Sequence, residues 1–293
     1  MEMINRFRES YGPGEDDRMV TLRTRELLQD VGEKYGTPEM LKRSVGLLDL
    51  TSLNTQDNDA TARRLARSVN LFADDYPDLP NVAAICVYPT LVAEVKKELK
   101  VSGVKVASVG ACFPSSQSFL SVKLAECELI VDRGADEIDV VIPVGEFLAG
   151  NCNRVMDELL LIREVTRKVH LKVILETGIL QSAENIRLAS LMALEAGADF
   201  IKTSTGKTQP AATHEAVYIM ARAIRDFYSV TGRKAGLKPA GGIATVDDLV
   251  PYLMLVDRLL GEEWFDPCLF RIGASRLANE LVSKVMGEEL KPF

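Results

Sequence analysis

Asp199-Phe200-Ile201-Lys202-Thr203-Ser204-Thr205-Gly206-Lys207 starts as a short apolar strand and ends as a polar loop closed by a glycine. Lys202 stands where the strand gives way to the loop. An amine held among apolar neighbours loses hydration, which disfavours its charged form and leaves part of it a free nucleophile near neutral pH. Thr203, Ser204, Thr205 and the amides around Gly206 supply donors that suit an anion. A solvated lysine on a strand rim is the plain alternative. A second stretch weighs against it: Lys234-Ala235-Gly236-Leu237-Lys238-Pro239-Ala240-Gly241-Gly242 repeats the construction. Lys238 follows Lys202 by 36 positions, about one strand-helix-strand repeat, which puts both lysines at the same end of neighbouring parallel strands. Two cations so close depress each other's pKa and activate one of them. Ser204-Thr205-Gly206-Lys207-Thr208 ends like a nucleotide P-loop, but Ile201 stands where that motif requires a glycine.

Outward from this pair the chain is regular. Strand-like runs occur at Val45–Leu50, Val82–Val87, Val104–Val109, Glu137–Ile142, Leu171–Glu176, Asp199–Thr203, Ala235–Pro239 and Leu269–Gly273. Their nearly continuous Val and Ile content is that of strands buried on both faces. Helix-like segments lie between them, at 60–75, 90–100, 115–133, 153–169, 182–196, 212–231 and 246–260, with a last one over Ser275–Val285. Gly103, Gly134, Gly197 and Gly236 are placed to end helices ahead of the next strand. Eight alternations are the count of a closed (β/α)₈ TIM barrel, with an open doubly wound sheet as the alternative. Asp49, Cys86, Asp139, Glu176, Lys202, Lys238 and Gly273 all fall at or near the ends of strands where barrel active sites are built, which favours the barrel. Residues 1–43 form a helical extension: Gly12-Pro13-Gly14 breaks the first segment, Thr21 to Lys34 reads as a helix, and Thr37-Pro38-Glu39 starts another. With no linker in view, 1–293 is read as one domain, the barrel occupying 44–293.

Composition narrows the function classes. A net charge of −7 argues against a nucleic-acid or anionic-membrane surface, and no apolar run approaches a membrane span. The five cysteines, Cys86, Cys112, Cys127, Cys152 and Cys268, are scattered without a C-x-x-C pair, which fits a reducing cytoplasm. The two histidines, His170 and His214, have no ligand-spaced partners, so neither a histidine-based metal site nor Ser-His-Asp catalysis is expected.

Asp139, inside Ile138-Asp139-Val140-Val141-Ile142, is a carboxylate that a strand can bury only if it is paired. It either joins the lysines as a proton-transfer group or forms a structural ion pair with one of them. Asp49 can hold a loop or a substrate hydroxyl. Lys172 and Glu176 read as an auxiliary pair on the fifth strand. Cys86, with no histidine to make it a thiolate, reads as pocket lining. Gly206, Gly241-Gly242 and Gly273-Ala274-Ser275 follow the sixth, seventh and eighth strands, where barrels bind phosphate; Ser275 is placed to cap the last helix. The candidate substrate-contacting set is therefore Asp49, Cys86, Lys172, Thr205, Gly206, Gly241, Gly242, Gly273 and Ser275. A lysine nucleophile, a second lysine, a buried carboxylate and a phosphate cup fit carbonyl chemistry on a small sugar phosphate, by an iminium that needs neither metal nor cofactor.

Lys-Thr-Ser-Thr-Gly-Lys (202–207), Lys-Pro-Ala-Gly-Gly-Ile (238–243), Asp-Leu-Thr-Ser-Leu-Asn (49–54), Glu-Ile-Asp-Val-Val-Ile (137–142) and Phe-Arg-Ile-Gly-Ala-Ser (270–275) together resemble the deoxyribose-phosphate aldolase family. The resemblance covers residues 44 to 288 in the family's order. It implies that Lys202 forms the Schiff base, Lys238 perturbs its pKa and Asp139 relays protons. It also implies that Gly206, Gly241, Gly242 and Ser275 surround the phosphate. The reaction implied is reversible cleavage of 2-deoxy-D-ribose 5-phosphate to D-glyceraldehyde 3-phosphate and acetaldehyde, with these small molecules as the partners and a homo-oligomer, dimer or tetramer, as the assembly. Some members end in a tyrosine that assists proton transfer, whereas this chain ends Lys291-Pro292-Phe293. The rival readings are a transaldolase-like Schiff-base barrel, a pyridoxal-phosphate barrel and a non-catalytic sugar-phosphate sensor; the sensor would need neither Lys202 nor Asp139.

Overall fold

The computed structural model describes residues 2–29 and 33–293. Eight parallel strands, β1 (Leu48–Thr51), β2 (Ala84–Val87), β3 (Lys105–Gly110), β4 (Glu137–Val141), β5 (His170–Ile174), β6 (Phe200–Lys202), β7 (Gly236–Lys238) and β8 (Ile272–Ala274), follow one another around a barrel. β1 pairs with both β2 and β8, and the ring is completed by bridges from Leu237 to Phe270 and from Ala240 to Gly273. The open-sheet alternative is thereby excluded. All eight strand-like runs overlap a strand, and all but that of β3 are longer than the strand they predict. The Val45–Leu50 run shows why: Val45 ends the helix Pro38–Val45, and Leu47 closes a turn onto the Ser44 carbonyl before β1 begins. Hydropathy cannot divide an apolar run between a buried helix end and a buried strand.

The expected helices are present, most of them trimmed at their ends. The segment read as 115–133 becomes Leu120–Asp132, because residues 111–119 form a loop in which Ala111, Cys112 and Ser116 take positive φ. The buried Lys123 amine holds that loop, reaching Glu158 at 2.6 Å and Ser116 at 2.9 Å. Gly134 and Gly197 do end helices in the left-handed region, but Gly236 does not, and Gly103 lies several residues past its helix. Gly236 instead begins β7, where a Cβ would lie 2.2–2.6 Å from the ring of Phe200. The missing side chain is space for that ring. Gly236→Ala is therefore expected to destabilise the protein by about 3 kcal/mol through overpacking, lowering Tm by roughly 5–10 °C. Adding Phe200→Leu should recover part of the loss in a thermal melt.

In the extension, helices span Glu2–Tyr11 and Asp17–Leu28. The second starts earlier than its apolar pattern suggests, because Asp16 caps it by accepting from the Met19 amide at 2.8 Å. The far end of the expected Thr21–Lys34 helix partly falls on residues 30–32, outside the described residues; Glu33–Gly36 is a 3₁₀ turn. The extension grips the helices that lead into β6, β7 and β8. Ala183 donates to Asp17 at 2.6 Å, Tyr218 to Glu15 at 2.6 Å and Tyr35 to Asp257 at 2.7 Å. At the other terminus, Phe293 stacks on Phe72 of the helix Asp59–Asp75, ring centroids 4.8 Å apart, and its amide donates to Asn279. The tail end thus lies on the helical layer. No helix among the described residues is long and apolar enough to cross a membrane.

Candidate active site

In a strand, residues two apart share a face, and in this barrel the inward face of one half carries charge instead of aliphatic carbon. Glu137 and Asp139 point in from β4, Lys172 from β5, Lys202 from β6, Lys238 from β7, Arg271 from the residue before β8 and Asp49 from β1. Parallel register sets Asp139 beside Lys172 and Lys202 beside Lys238. The Asp139 carboxylate is the hub. Its Oδ2 accepts from both Lys202 Nζ and Lys238 Nζ at 2.8 Å, and its Oδ1 from Lys172 Nζ at 2.8 Å. Lys172 also reaches Glu137 at 2.6 Å, and Lys238 reaches Asp49 at 2.5 Å. Arg271 closes the lower side, donating to Asp49 at 2.6 Å and to Glu137 at 2.7 Å. The other half of the interior is small and apolar, lined by Ala84, Cys86, Ala107 and Val109.

Counting charge shows what this arrangement does to Lys202. Three carboxylates, Asp49, Glu137 and Asp139, face four bases, Lys172, Lys202, Lys238 and Arg271. One base must give up its proton for the buried cluster to be neutral. Burial pushes all the lysines down, but the carboxylates outweigh it at two of them: Asp139, Glu137 and Asp49 hold Lys172 above the usual amine range, and Asp139 and Asp49 hold Lys238 above it. Arg271 is likewise raised by Asp49 and Glu137 against its burial. At Lys202, burial wins; Asp139 pulls the pKa up, Lys238 pushes it down, and the net position is below the usual range. Burial favours a protonated Asp139, yet the charges of Lys172, Lys202 and Lys238 keep it ionised, well below the carboxylate range. Lys202 is the one base of the four whose pKa the site pushes down.

The placement of the other candidates is mixed. Lys202, Lys238 and Asp139 converge as the sequence suggested. Asp49 and Lys172 lie wholly inside the cluster with 0% exposure, Asp49 against Lys238 and Arg271, Lys172 against Glu137 and Asp139. Lys172 and Glu176 do not pair: Lys172 turns to Asp139 and Glu137, whereas Glu176 lies beyond β5 and binds Thr205. Cys86 is buried in the apolar half, its thiol pushed up to about 11 mainly by burial, which makes it wall rather than nucleophile. Glu137 and Arg271 went unassigned, although both stand in recognised motifs. Their signal was the two-residue step, Glu137 to Asp139 and Arg271 to Gly273, that puts each on the inward face.

The loops after β6, β7 and β8 meet above the lysines. Thr203 Oγ1 accepts from the Ala240 amide at 3.0 Å, and a Cβ on Gly241 would lie 3.4 Å from the Gly206 Cα. Gly206, Gly241 and Gly242 all take positive φ, between 77° and 86°, which only glycine adopts without strain. Gly273 gives clearance to the loop and to Lys238: a Cβ there would stand 2.7 Å from the Ala240 Cβ and 3.2 Å from Lys238 Cε. Ser275 is exposed ahead of the helix Arg276–Met286, and its hydroxyl makes no capping bond, contrary to expectation; the backbone there is not the extended one that side-chain capping needs. The amide and hydroxyl of Thr205 are both taken by Glu176, at 3.1 and 2.6 Å.

The chain is similar to known proteins over most of its length. The DeoC/LacD family aldolase model matches residues 43–253. The deoxyribose-phosphate aldolase of Homo sapiens is 42% identical over 255 residues, covering 84% of this chain and 80% of that one. That of Agrobacterium fabrum is 40% identical over 248 residues, covering 84% and 92%. Among solved structures, the tetrameric deoxyribose phosphate aldolase of Aeropyrum pernix superposes with a TM-score of 0.65 at 26% identity, covering 92% of this chain and 98% of its own.

Proposed function

The chain belongs to the DeoC/LacD aldolase family, and from that premise we infer that it is a deoxyribose-phosphate aldolase. It cleaves 2-deoxy-D-ribose 5-phosphate reversibly to D-glyceraldehyde 3-phosphate and acetaldehyde. The observation that carries the mechanism is the buried cluster of three carboxylates and four bases in which Lys202 alone has its pKa pushed down.

The neutral Lys202 amine adds to the C1 aldehyde of the open-chain sugar and loses water to form an iminium. A base removes the C3 hydroxyl proton, the C2–C3 bond breaks, and its electron pair moves toward the iminium nitrogen. D-Glyceraldehyde 3-phosphate leaves and an enamine remains. Protonation of the enamine carbon and hydrolysis then release acetaldehyde and restore the amine. Asp139, ionised and 2.8 Å from Lys202 Nζ, faces the positive charge as it forms and relays protons through water. Lys238 acts on Lys202 by charge. Aldehyde release from deoxyribose 5-phosphate, followed in a coupled assay, tests the reaction; no release above background would refute it.

Gly206, Gly241, Gly242 and Ser275 are assigned to the phosphate, on the convergence of their three loops and the free hydroxyl at a helix start. Ser275→Asp puts a carboxylate where the phosphate belongs. It should lower kcat/KM for deoxyribose 5-phosphate by about a hundredfold, and that for unphosphorylated deoxyribose far less. Equal losses on both sugars would place the phosphate elsewhere. The same reading takes extension and barrel as one domain and expects a cytoplasmic homo-oligomer, dimer or tetramer, which a sizing experiment checks; the tetrameric Aeropyrum relative supports it.

A further inference from the structure

We propose that Glu176 is a positioning residue for phosphate recognition: through Thr205 it sets the turn Thr205-Gly206-Lys207, and so the loop's grip on the substrate phosphate. This rests on the phosphate reading given above. The Glu176 carboxylate, 4% exposed, takes both donors of one residue, the Thr205 amide at 3.1 Å and the Thr205 hydroxyl at 2.6 Å. That hydroxyl accepts in turn from the Lys207 amide at 3.0 Å. One carboxylate thus fixes three consecutive residues, with Gly206 at φ +77° between the two anchored ones.

The backbone beneath is arranged to deliver this side chain. Beyond β5 the pairing with the β6 segment continues, Leu175 donating to the Lys202 carbonyl and Thr177 to the Thr203 carbonyl, both at 2.9 Å. Glu176, between them, stands in the left-handed region at φ 56° and ψ 55°. A non-glycine residue stays there only when its surroundings over-determine it, and such positions gather at functional sites. The next residue but one holds the same two loops together, since a Cβ on Gly178 would stand 2.0 Å from the Pro210 carbonyl oxygen. Because Glu176 occupies the Thr205 amide and hydroxyl, Thr205 contributes shape, and the phosphate is left to the neighbouring glycine amides.

The test compares wild type with Glu176→Gln, Thr205→Val and the double variant on deoxyribose 5-phosphate and on unphosphorylated deoxyribose. Acetaldehyde trapping on Lys202 by borohydride runs in parallel. In each single variant the preference for the phosphorylated sugar, as a ratio of kcat/KM values, should fall about ten- to a hundredfold, the loss of a buried hydrogen bond to a charged group. The fall should appear in KM. The double variant should be no worse than the worse single, since both break one linkage. Glu176→Asp, with its charge intact but one methylene short of Thr205, should behave like Glu176→Gln. Equal losses on both sugars, lost trapping, additive effects or full activity in Glu176→Asp would each overturn the proposal. A wild type that does not prefer the phosphorylated sugar would overturn the phosphate reading and this proposal together.

Discussion

Lys202→Met is expected to abolish turnover while leaving the protein as stable as the wild type. The activity falls because the one base whose pKa the site pushes down is gone. Lys172, Lys238 and Arg271 remain charged and hold no free electron pair for a carbonyl. The loss should reach at least about 10⁴-fold in kcat, the scale seen when a covalent nucleophile is removed. Stability is kept because the count still closes: three carboxylates face the three remaining cations. Methionine fills the channel of the lysine stem without burying a charge. Lys172→Met is the control. It takes the partner of Asp139 Oδ1 and leaves Glu137 to Arg271. A proton on Lys202 restores the charge count but not these contacts. Losing a member of a buried pair should cost about 3–5 kcal/mol and show as a clear drop in Tm. If Lys202→Met lowered Tm as far as Lys172→Met does, Lys202 would be a charged structural member and the neutral-amine account would be wrong.

The second large effect is a change of pH profile. Lys202 reacts only without its proton, so the rate rises with pH through the Lys202 pKa, which the site holds below the usual amine range. In Lys238→Leu a repelling charge disappears, and two carboxylates, Asp49 and Asp139, lose a partner. Both changes favour a protonated Lys202, which the cluster then needs as its third cation. The added leucine excludes water and pushes the other way, but the whole charge it replaces is the larger influence. The ascending limb should move alkaline by about one to two units, each unit being about 1.4 kcal/mol. Activity near neutrality should fall about ten- to a hundredfold and recover in part at high pH. An acid shift, or inactivity at every pH with Lys202 titrating as before, would make Lys238 a direct participant in proton transfer.

Much of this was legible in the sequence because the barrel writes itself in a simple code. Strands buried on both faces are apolar throughout, so a lysine or aspartate within one stands out, and Lys202, Lys238 and Asp139 did. The seam between helix Pro38–Val45 and β1 was not legible, since both sides of it are equally buried. The auxiliary pair of Lys172 and Glu176 failed for a geometric reason. Four residues apart on a straight strand they would share a face, but the left-handed turn at Glu176 ends the strand first. Glu137 and Arg271 look like ordinary charges at strand margins; only closure of the barrel brings them together, from β4 and the start of β8 across the interior. The charge balance that singles out Lys202 is a property of seven side chains from five strands and the approach to β8. No local window contains it.

The most direct measurement is to incubate the protein with acetaldehyde and borohydride near neutral pH and map the reduced adduct by peptide mass analysis. The account predicts a two-carbon adduct on the peptide carrying Lys202, none on that carrying Lys238, and no adduct in Lys202→Met. An adduct found on Lys238 while Lys202 stays unmodified would contradict it.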